Sequence, residues 1–538
     1  MSQSSYDAPT GPIRGGAPAP PGQVAGPAAE PARRRNVTRD LIAAALLVVA
    51  PFLPWNLYFG VGVPDSKTVL FAVLAAVTVL SLIAIAAPPG RLRLLLNVPY
   101  WLLVLGFIGY DVYETIRSGG SVHVPGGVGP GAWLGIAGSV LSAQPLITGV
   151  AAAEETPDGW SRAARVIGYV SMIGATLSSA FNLFWRVRFA LHDTTGTGFG
   201  KQNIVVIVTA TVYGLVAWIA VLIASRWLVK RGKAAHLAVV ALGASALVAG
   251  PLVWFLPIGR DIDSFHGIAQ NTSTAGVGYE GYLAWAIGAA IFAPRVLPGY
   301  RRGGPDDAVP WRNAARMGCT LIIVWCLGSA LMRITDFTGA VILNYPYSRY
   351  DSMTLAAFDL ATAGLAIWLR IKLATTSIPT RLTTSLTGLL VTFGIARVVL
   401  GVLLAPRFVV PPGGGGWNNP VYGNNLAHQI TSTFDVALCG LALGILIAVR
   451  ISGHLAGRRR RRRRRRVAVP GTRPAGQGAA PPPSAASTTR IPAGGAATGG
   501  EPQLAGSGAP RIFRGDDSAT QQISLRRPTP KIYRPPQS

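Results

Sequence analysis

Two short segments of this chain contain the residues whose types and spacing could support chemistry. Residues 358–366 (FDLATAGLA) and 434–442 (FDVALCGLA) are closely similar, and Asp359 and Asp435 occupy equivalent positions in them. Each aspartate lies about two turns inside an otherwise apolar stretch. A charge inside hydrocarbon is costly and usually has a partner or a function. We therefore interpret the two aspartates as the centre of a candidate site.

One arginine lies in the apolar stretch before each aspartate, Arg333 before the first and Arg397 before the second. The helical rise of about 1.5 Å per residue places all four charges at a similar depth, where opposite charges can pair. One interpretation is that ion pairs fix helix packing, with Gly364 and Gly440 allowing close approach. A second is that the four residues line an outward-facing substrate cavity for an amphiphile or an anionic solute. A third is a catalytic carboxylate in this layer. The secondary candidates near this layer are Asp111, Glu114, Arg186, Glu280 and His428.

The composition places these residues in a membrane protein. Of the 538 residues, 50% are hydrophobic and 13% are charged, whereas about 25% are charged in a typical soluble domain. The mean hydropathy is +0.39, and the apolar residues form blocks near the ~20 residues that cross a bilayer. We expect an all-α integral membrane protein, a bundle of about twelve transmembrane helices with internal helical-hairpin repeats and disordered termini. The blocks are 41–59, 67–87, 94–113, 131–152, 164–187, 203–225, 235–256, 279–297, 317–337, 352–371, 383–404 and 427–449.

The distribution of positive charge predicts the orientation of the bundle. Alternate loops between the blocks hold 16 and seven Lys and Arg residues. Because cytoplasmic loops are the richer in positive charge, we expect the richer set and both termini in the cytoplasm, with the bundle in the plasma (inner) membrane. We divide the chain into a disordered N-terminal segment (1–38), a transmembrane domain (39–450) and a disordered, basic, Pro-, Ala- and Gly-rich tail (451–538).

The tail holds much of the positive charge. Residues 450–538 contain 18 of the 49 Lys and Arg residues but three of the 22 acidic ones. An unbroken arginine run follows the last apolar block, and we expect it to bind anionic lipid headgroups at the cytoplasmic face. Nucleic acid is disfavoured as a partner because no aromatic residues interleave the run. The run comprises Arg458, Arg459, Arg460, Arg461, Arg462, Arg463, Arg464, Arg465 and Arg466.

Two threonines of the tail are candidates for phosphorylation. Thr488 is followed by Ile491 and Thr520 by Ile523, a spacing similar to the one that forkhead-associated phosphothreonine-binding domains read. Phosphorylation would add negative charge near the arginine run, and it would either recruit a partner or release the run from lipid. The alternative is an unmodified linker.

Several motifs of enzymes and ATP-driven proteins are missing from the sequence, including G-x-x-x-x-G-K-[ST], H-E-x-x-H and G-x-S-x-G. Cys319, Cys326 and Cys439 lie in apolar blocks, where we expect buried thiols and neither a disulfide nor a metal site. We expect no cofactor, and an enzyme is the less favoured class. The twelve spans and cytoplasmic ends resemble the major facilitator transporters, but residues 88–93 lack that family's G-x-x-x-D-R-x-G-R-R pattern. The Ala-, Gly- and Arg-rich composition resembles polytopic inner-membrane proteins of actinobacterial type.

These observations favour a permease, or a component that exports lipids or envelope precursors, with an outward-facing polar cavity at the four charges. One alternative is a non-catalytic membrane scaffold that presents a basic tail phosphorylated on threonine. Another alternative is a membrane-embedded transferase.

Overall fold

The structure is a computed structural model in which the backbone of eleven ranges is described. All regular secondary structure within them is helical. His428, Thr488 and Thr520 lie outside the described residues, so the roles predicted for them stay predictions. The described ranges are 29–55, 67–88, 90–117, 128–145, 158–192, 199–255, 278–297, 308–344, 349–375, 379–404 and 433–467.

The described residues contain twelve α-helices, and each overlaps one of the apolar blocks. A 3-10 turn (Ala50–Phe52) follows the first helix, and a π-helical turn (Gly278–Leu283) leads into the eighth. The helices are α1 (Ala29–Val49), α2 (Thr68–Ala86), α3 (Arg91–Arg117), α4 (Pro130–Ala143), α5 (Asp158–His192), α6 (Lys201–Val229), α7 (Lys233–Phe255), α8 (Ala284–Val296), α9 (Ala308–Ile342), α10 (Arg349–Ala374), α11 (Thr380–Leu403) and α12 (Thr433–Val467).

Nine of the described helices, all except α1, α4 and α8, are long and apolar enough to cross a membrane. Their side chains also suit a bilayer, because many large apolar residues on them are exposed at the surface of the bundle. The structure therefore confirms an all-helical, multi-pass membrane architecture. The exact number of twelve spans stays a prediction.

Two helices extend past the boundaries that we predicted for the transmembrane domain. Helix α1 begins at Ala29, inside the segment 1–38 that we expected to be disordered, and α12 continues through the arginine run to Val467. Alanine and arginine are good helix formers, and Pro31 in the first turn of α1 needs no amide hydrogen there. Helix formation thus continues beyond the apolar residues from which the boundaries were inferred.

Helix α4 lies inside the bundle. All fourteen of its residues are buried, and its length of about 21 Å is less than the ~30 Å of a hydrocarbon core. It runs antiparallel to α1: the amide of Gly129 donates to the carbonyl of Trp55 at 2.6 Å at one end, and Arg39 donates to the carbonyl of Pro145 at 2.7 Å at the other. A short, fully buried helix of this kind acts as a core around which α1, α3 and α8 pack.

The equivalent glycines of the two similar segments, Gly364 and Gly440, have different surroundings. A methyl group at Gly440 would lie 2.8 Å from the Cβ of Ser245 on α7, so α12 and α7 approach closely at this point. Around Gly364 nothing lies within 4 Å of the same position. The close approach that the ion-pair interpretation implies for both glycines therefore occurs at Gly440, whereas Gly364 faces outward from the bundle.

Some buried arginines have a local structural role. Arg93 donates to the carbonyls of Ala87 and Ile85 at 3.1 and 2.5 Å. These carbonyls belong to the end of α2, whose last turn leaves backbone acceptors without helical partners. Arg93 therefore caps α2, and its burial needs no functional explanation.

Candidate functional site

Arg397 on α11 lies at the centre of a buried network that joins four helices. Its Nε donates to Asp359 of α10, and its Nη1 forms an ion pair with Asp435 of α12. Its Nη2 donates to the hydroxyl of Ser329 on α9 at 2.8 Å. A single guanidinium therefore holds the aspartates of both similar segments, 358–366 and 434–442.

Asp359 also accepts hydrogen bonds from two residues of α9. The hydroxyl of Ser329 donates to its Oδ2 at 2.8 Å, and the Nε of Arg333 donates to the same oxygen at 3.2 Å. Arg397 occupies the other oxygen. Both carboxylate oxygens of Asp359 thus accept hydrogen bonds, which fits the burial of this residue, because a buried charge without partners is costly.

Asp435 has a second donor, the indole of Trp325, whose Nε1 lies 2.5 Å from its Oδ1. Trp325, Ser329 and Arg333 are spaced by four residues along α9, so they share one face of that helix. All three donate to the carboxylates of the network, and this face of α9 is therefore the wall of the site. Trp325 and Ser329 were missed in the sequence, where their spacing from Arg333 was the available signal.

The four charged side chains are closed to solvent. Their relative exposure is 5% for Arg397 and 3% or less for Arg333, Asp359 and Asp435. Two positive and two negative charges cancel within the network. Removal of one member of a buried pair costs about 3–5 kcal/mol, but replacement of a whole buried set by apolar residues is often neutral or stabilising. Stability alone therefore does not explain why these positions are charged.

A small cavity adjoins the network. Arg397, Asp435, Cys326 and Cys439 are among its lining residues, and its volume is about 20 Å³, which is room for roughly one water molecule. Both thiols are free. The described residues around the four charges thus leave room for little more than one water molecule, and the outward-facing cavity that we expected from the sequence stays a prediction.

A third carboxylate, which the sequence reading missed, lies one turn beyond Arg333. Asp336 is buried, and the hydroxyl of Tyr213 on α6 donates to its Oδ2. Helix α6 approaches α9 closely near this pair, because a methyl group at Gly328 would lie 2.5 Å from the Cγ1 of Val216. The spacing of three residues from Arg333 was a signal for Asp336, but the sequence contained none for its contact with Tyr213.

Aromatic side chains cover the α12 side of the network. Phe434 packs edge-on against Trp325, with ring centroids 4.5 Å apart. Tyr282 of the π-helical turn lies 6.4 Å from Phe434 and 4.4 Å from Trp133 of α4. All four rings are buried, so this cluster excludes water and connects α4 with the charged site.

The secondary candidates are not among the described contacts of the network. Asp111 and Glu114 lie on α3, which packs against α2 and α4, and Glu114 pairs with Arg117 of the same helix at 3.7 Å. Arg186 lies on α5 and Glu280 in the π-helical turn, and the side chains of both lie outside the description. Within the described part of the chain, no group of three or more His, Cys, Asp or Glu could hold a metal ion.

The fold and the site together define a multi-pass helical membrane protein with a buried Arg–Asp network at its centre. A family model described as a domain of unknown function (DUF7937) matches residues 36–454. The chain belongs to this family. The matched region includes all four charges of the network and ends before the arginine run. No curated protein and no solved structure matches the chain significantly.

Proposed function

We propose that this protein is a membrane permease for an anionic or amphiphilic solute, such as a lipid or an envelope precursor. In this proposal, the network of Arg333, Asp359, Arg397 and Asp435 is the substrate site in its closed state. The observation that supports it most is the sharing of Arg397 between carboxylates on two helices. Ionisable residues buried in membrane helices are costly and commonly mark transport pathways.

The chemistry of opening follows from the order of charges, which alternate as Arg333, Asp359, Arg397 and Asp435. When the helices separate, each guanidinium loses a carboxylate and can accept the anionic group of a solute in its place. Arginine suits this exchange because its planar guanidinium binds carboxylates and phosphates in the same bidentate geometry. The aspartates thus hold the site closed until a solute replaces them.

The proposal predicts that a thiol beside the network becomes accessible when the site opens. Cys326 lines the adjoining cavity, whereas Cys319 lies about two turns earlier on α9 and is equally buried. Full-length variants in intact cells would retain one of these cysteines and carry serine at the other two cysteine positions. A charged, membrane-impermeant maleimide should label the Cys326 chain several-fold faster than the Cys319 chain.

Two further variants serve as controls for this experiment. Asp359→Asn weakens the closed state and should raise the labelling rate of Cys326. Deletion of residues 458–538 removes the basic tail and should leave that rate unchanged, because the tail lies beyond the part of α12 that could span a membrane, which ends at Gly457. Equal labelling at Cys319 and Cys326 in every variant would contradict a site that opens.

A non-catalytic scaffold is the second candidate, and the length of α12 favours it. The helix extends through nine arginines beyond its apolar part, and in this reading the run rests on anionic headgroups at the cytoplasmic face. Both termini are then cytoplasmic, and a phosphothreonine-binding partner recognises the tail. The scaffold requires no opening of the network, so equal and slow labelling of both cysteines would support it over the permease.

A further inference from the structure

One oxygen of Asp336 has no hydrogen-bond partner among the described residues. The hydroxyl of Tyr213 donates to Oδ2, but Oδ1 is buried and receives no donor. Asp336 lies on α9, contacts α6 through Tyr213, and is 2% exposed. This differs from Asp359 and Asp435, whose buried carboxylates are paired with arginine.

The protonation state of the group follows from this geometry. An ionised carboxylate carries charge on both oxygens, and a buried anionic oxygen without a donor is strongly disfavoured. A neutral carboxylic acid carries its hydrogen on one oxygen and still accepts a hydrogen bond on the other. The neutral acid, with its hydrogen on Oδ1 and Oδ2 accepting from Tyr213, is therefore the less costly state here, because an unpaired neutral hydroxyl is disfavoured much less than an unpaired buried anion.

We propose that Asp336 binds one proton at Oδ1 while the network is closed and releases it to water when the network opens. Asp336 would then be the residue that couples proton movement to the permease. This inference rests on the function proposed above. The O–H bond at Oδ1 breaks, the electron pair stays on the carboxylate, and the proton passes to a water molecule that enters with opening.

Arg333 provides the connection between the network and Asp336. It lies three residues before Asp336 on α9, and its Nε is bound to Asp359 at 3.2 Å. Residues at this spacing are neighbours on a helix surface. When Asp359 moves away with α10, Asp336 becomes the nearest carboxylate for Arg333, and a guanidinium at that distance stabilises the ionised form. Separation of Arg333 from Asp359 therefore favours proton release.

The other groups around Asp336 are compatible with this role. Helix α9 packs against α6, α7, α10 and α12. Tyr213 faces Asp336 from α6, Asp359 lies behind Arg333 on α10, and Asp435 of α12 is bound to Arg397. On α7, titratable side chains occur in the first turn, which starts at Lys233, and the rest of the helix has none. A sodium ion would need several oxygen ligands. The hydroxyl of Tyr213 instead donates its hydrogen to Asp336, which suits a carboxyl group better than a metal ion.

Infrared spectroscopy tests the proton directly and requires no substrate. The full-length chain in liposomes at neutral pH should show the carbonyl stretch of a protonated carboxylic acid, shifted on exchange into D₂O. Asp336→Asn should remove this band and leave the melting temperature near that of the wild type, because asparagine resembles the neutral acid. Tyr213→Phe should keep the band and shift its frequency, because one hydrogen bond to the group is lost. A spectrum without a band assignable to Asp336 would overturn the proposal.

The coupling is tested by the labelling of Cys326 as a function of pH. Because opening releases a proton, a rise in pH favours the open state, and the intrinsic rise in thiol reactivity is shared by all variants. The ratio of the labelling rate with Asp336 present to the rate with Asp336→Asn should therefore increase as pH rises. A constant ratio would overturn the coupling and leave the permease standing, and a ratio that depends on sodium would replace the proton by that ion. An infrared band without any labelling would support the proton site and contradict the permease.

Discussion

At the scale of residues, the network depends on the capacity of one guanidinium to bind several acceptors. Arg397 uses three nitrogens for three partners, Asp359, Asp435 and Ser329. A lysine would offer one compact charge at the end of a flexible stem, and it would not reach all three partners in a fixed plane. The arginine therefore determines which helices meet at the network.

The two aspartates should differ in their contribution to stability. Among the ion pairs described above, Asp359 takes part in two, with Arg333 and Arg397, and Asp435 in one, with Arg397, so Asp359→Asn removes the partner of more positive charge. We expect Asp359→Asn to destabilise the folded protein by about 3–5 kcal/mol and Asp435→Asn by less. The melting temperature of the purified full-length chain in detergent measures both.

Glu114 provides a matched control. It pairs with Arg117, whose side chain is 68% exposed. Glu114→Gln should change stability by less than about 1 kcal/mol, because exposed ion pairs contribute little.

The double variant Arg333→Met with Asp359→Asn should be more stable than the sum of the single effects predicts, since the two residues are direct partners. Additive effects of these two changes, or equal effects of Asp359→Asn and Glu114→Gln, would contradict a coupled buried network.

At the level of helices, the two similar segments, 358–366 in α10 and 434–442 in α12, have different neighbours. In α12 the segment packs against α7 at Gly440, whereas in α10 the equivalent Gly364 has open space around it. The aspartates of both copies nevertheless contact the same arginine. The two segments thus share the contact with Arg397 and differ in the packing of the helix face that carries the glycine.

This difference predicts opposite effects of the same substitution. Gly440→Ala places a methyl group 2.8 Å from Ser245, and the resulting shift of α12 should destabilise the bundle by about 1–3 kcal/mol. Gly364→Ala meets no neighbour and should be neutral or stabilising by up to about 1 kcal/mol, because alanine is the better helix former. Thermal unfolding of both variants in the same detergent gives the comparison. Equal destabilisation by both would show that the two copies pack alike.

At the scale of the whole molecule, block length and hydropathy were sufficient to predict an all-helical membrane bundle, because these properties are local to the chain. Rise per residue also placed Arg333, Asp359, Arg397 and Asp435 at one depth, and the structure brings these four side chains together. Whether they border an open cavity depends on how closely the helices pack, and hydropathy carries no information about that packing.

Contacts between helices distant in the sequence were beyond prediction for the same reason. Tyr213 meets Asp336 because α6 can approach α9 at Gly328, and a glycine in a membrane helix is too common to indicate one partner. Trp325 and Ser329 were within reach of prediction, because their four-residue spacing from Arg333 is visible in the chain. The helical ends at Ala29 and Val467 were missed because hydropathy marks apolar residues and not helix length.

If the network serves opening of the bundle and not its stability, an apolar replacement of all four charges should leave the protein folded and unable to open. The variant should melt near the wild-type temperature, because a complete buried charge set can be replaced without loss of stability. Its Cys326 should no longer react with the impermeant maleimide, since no charge remains to bring water into the site. Wild-type labelling of Cys326 in this folded variant, or failure of the variant to fold, would contradict the account. The variant combines Arg333→Met, Asp359→Leu, Arg397→Met and Asp435→Leu in the chain that retains Cys326 alone.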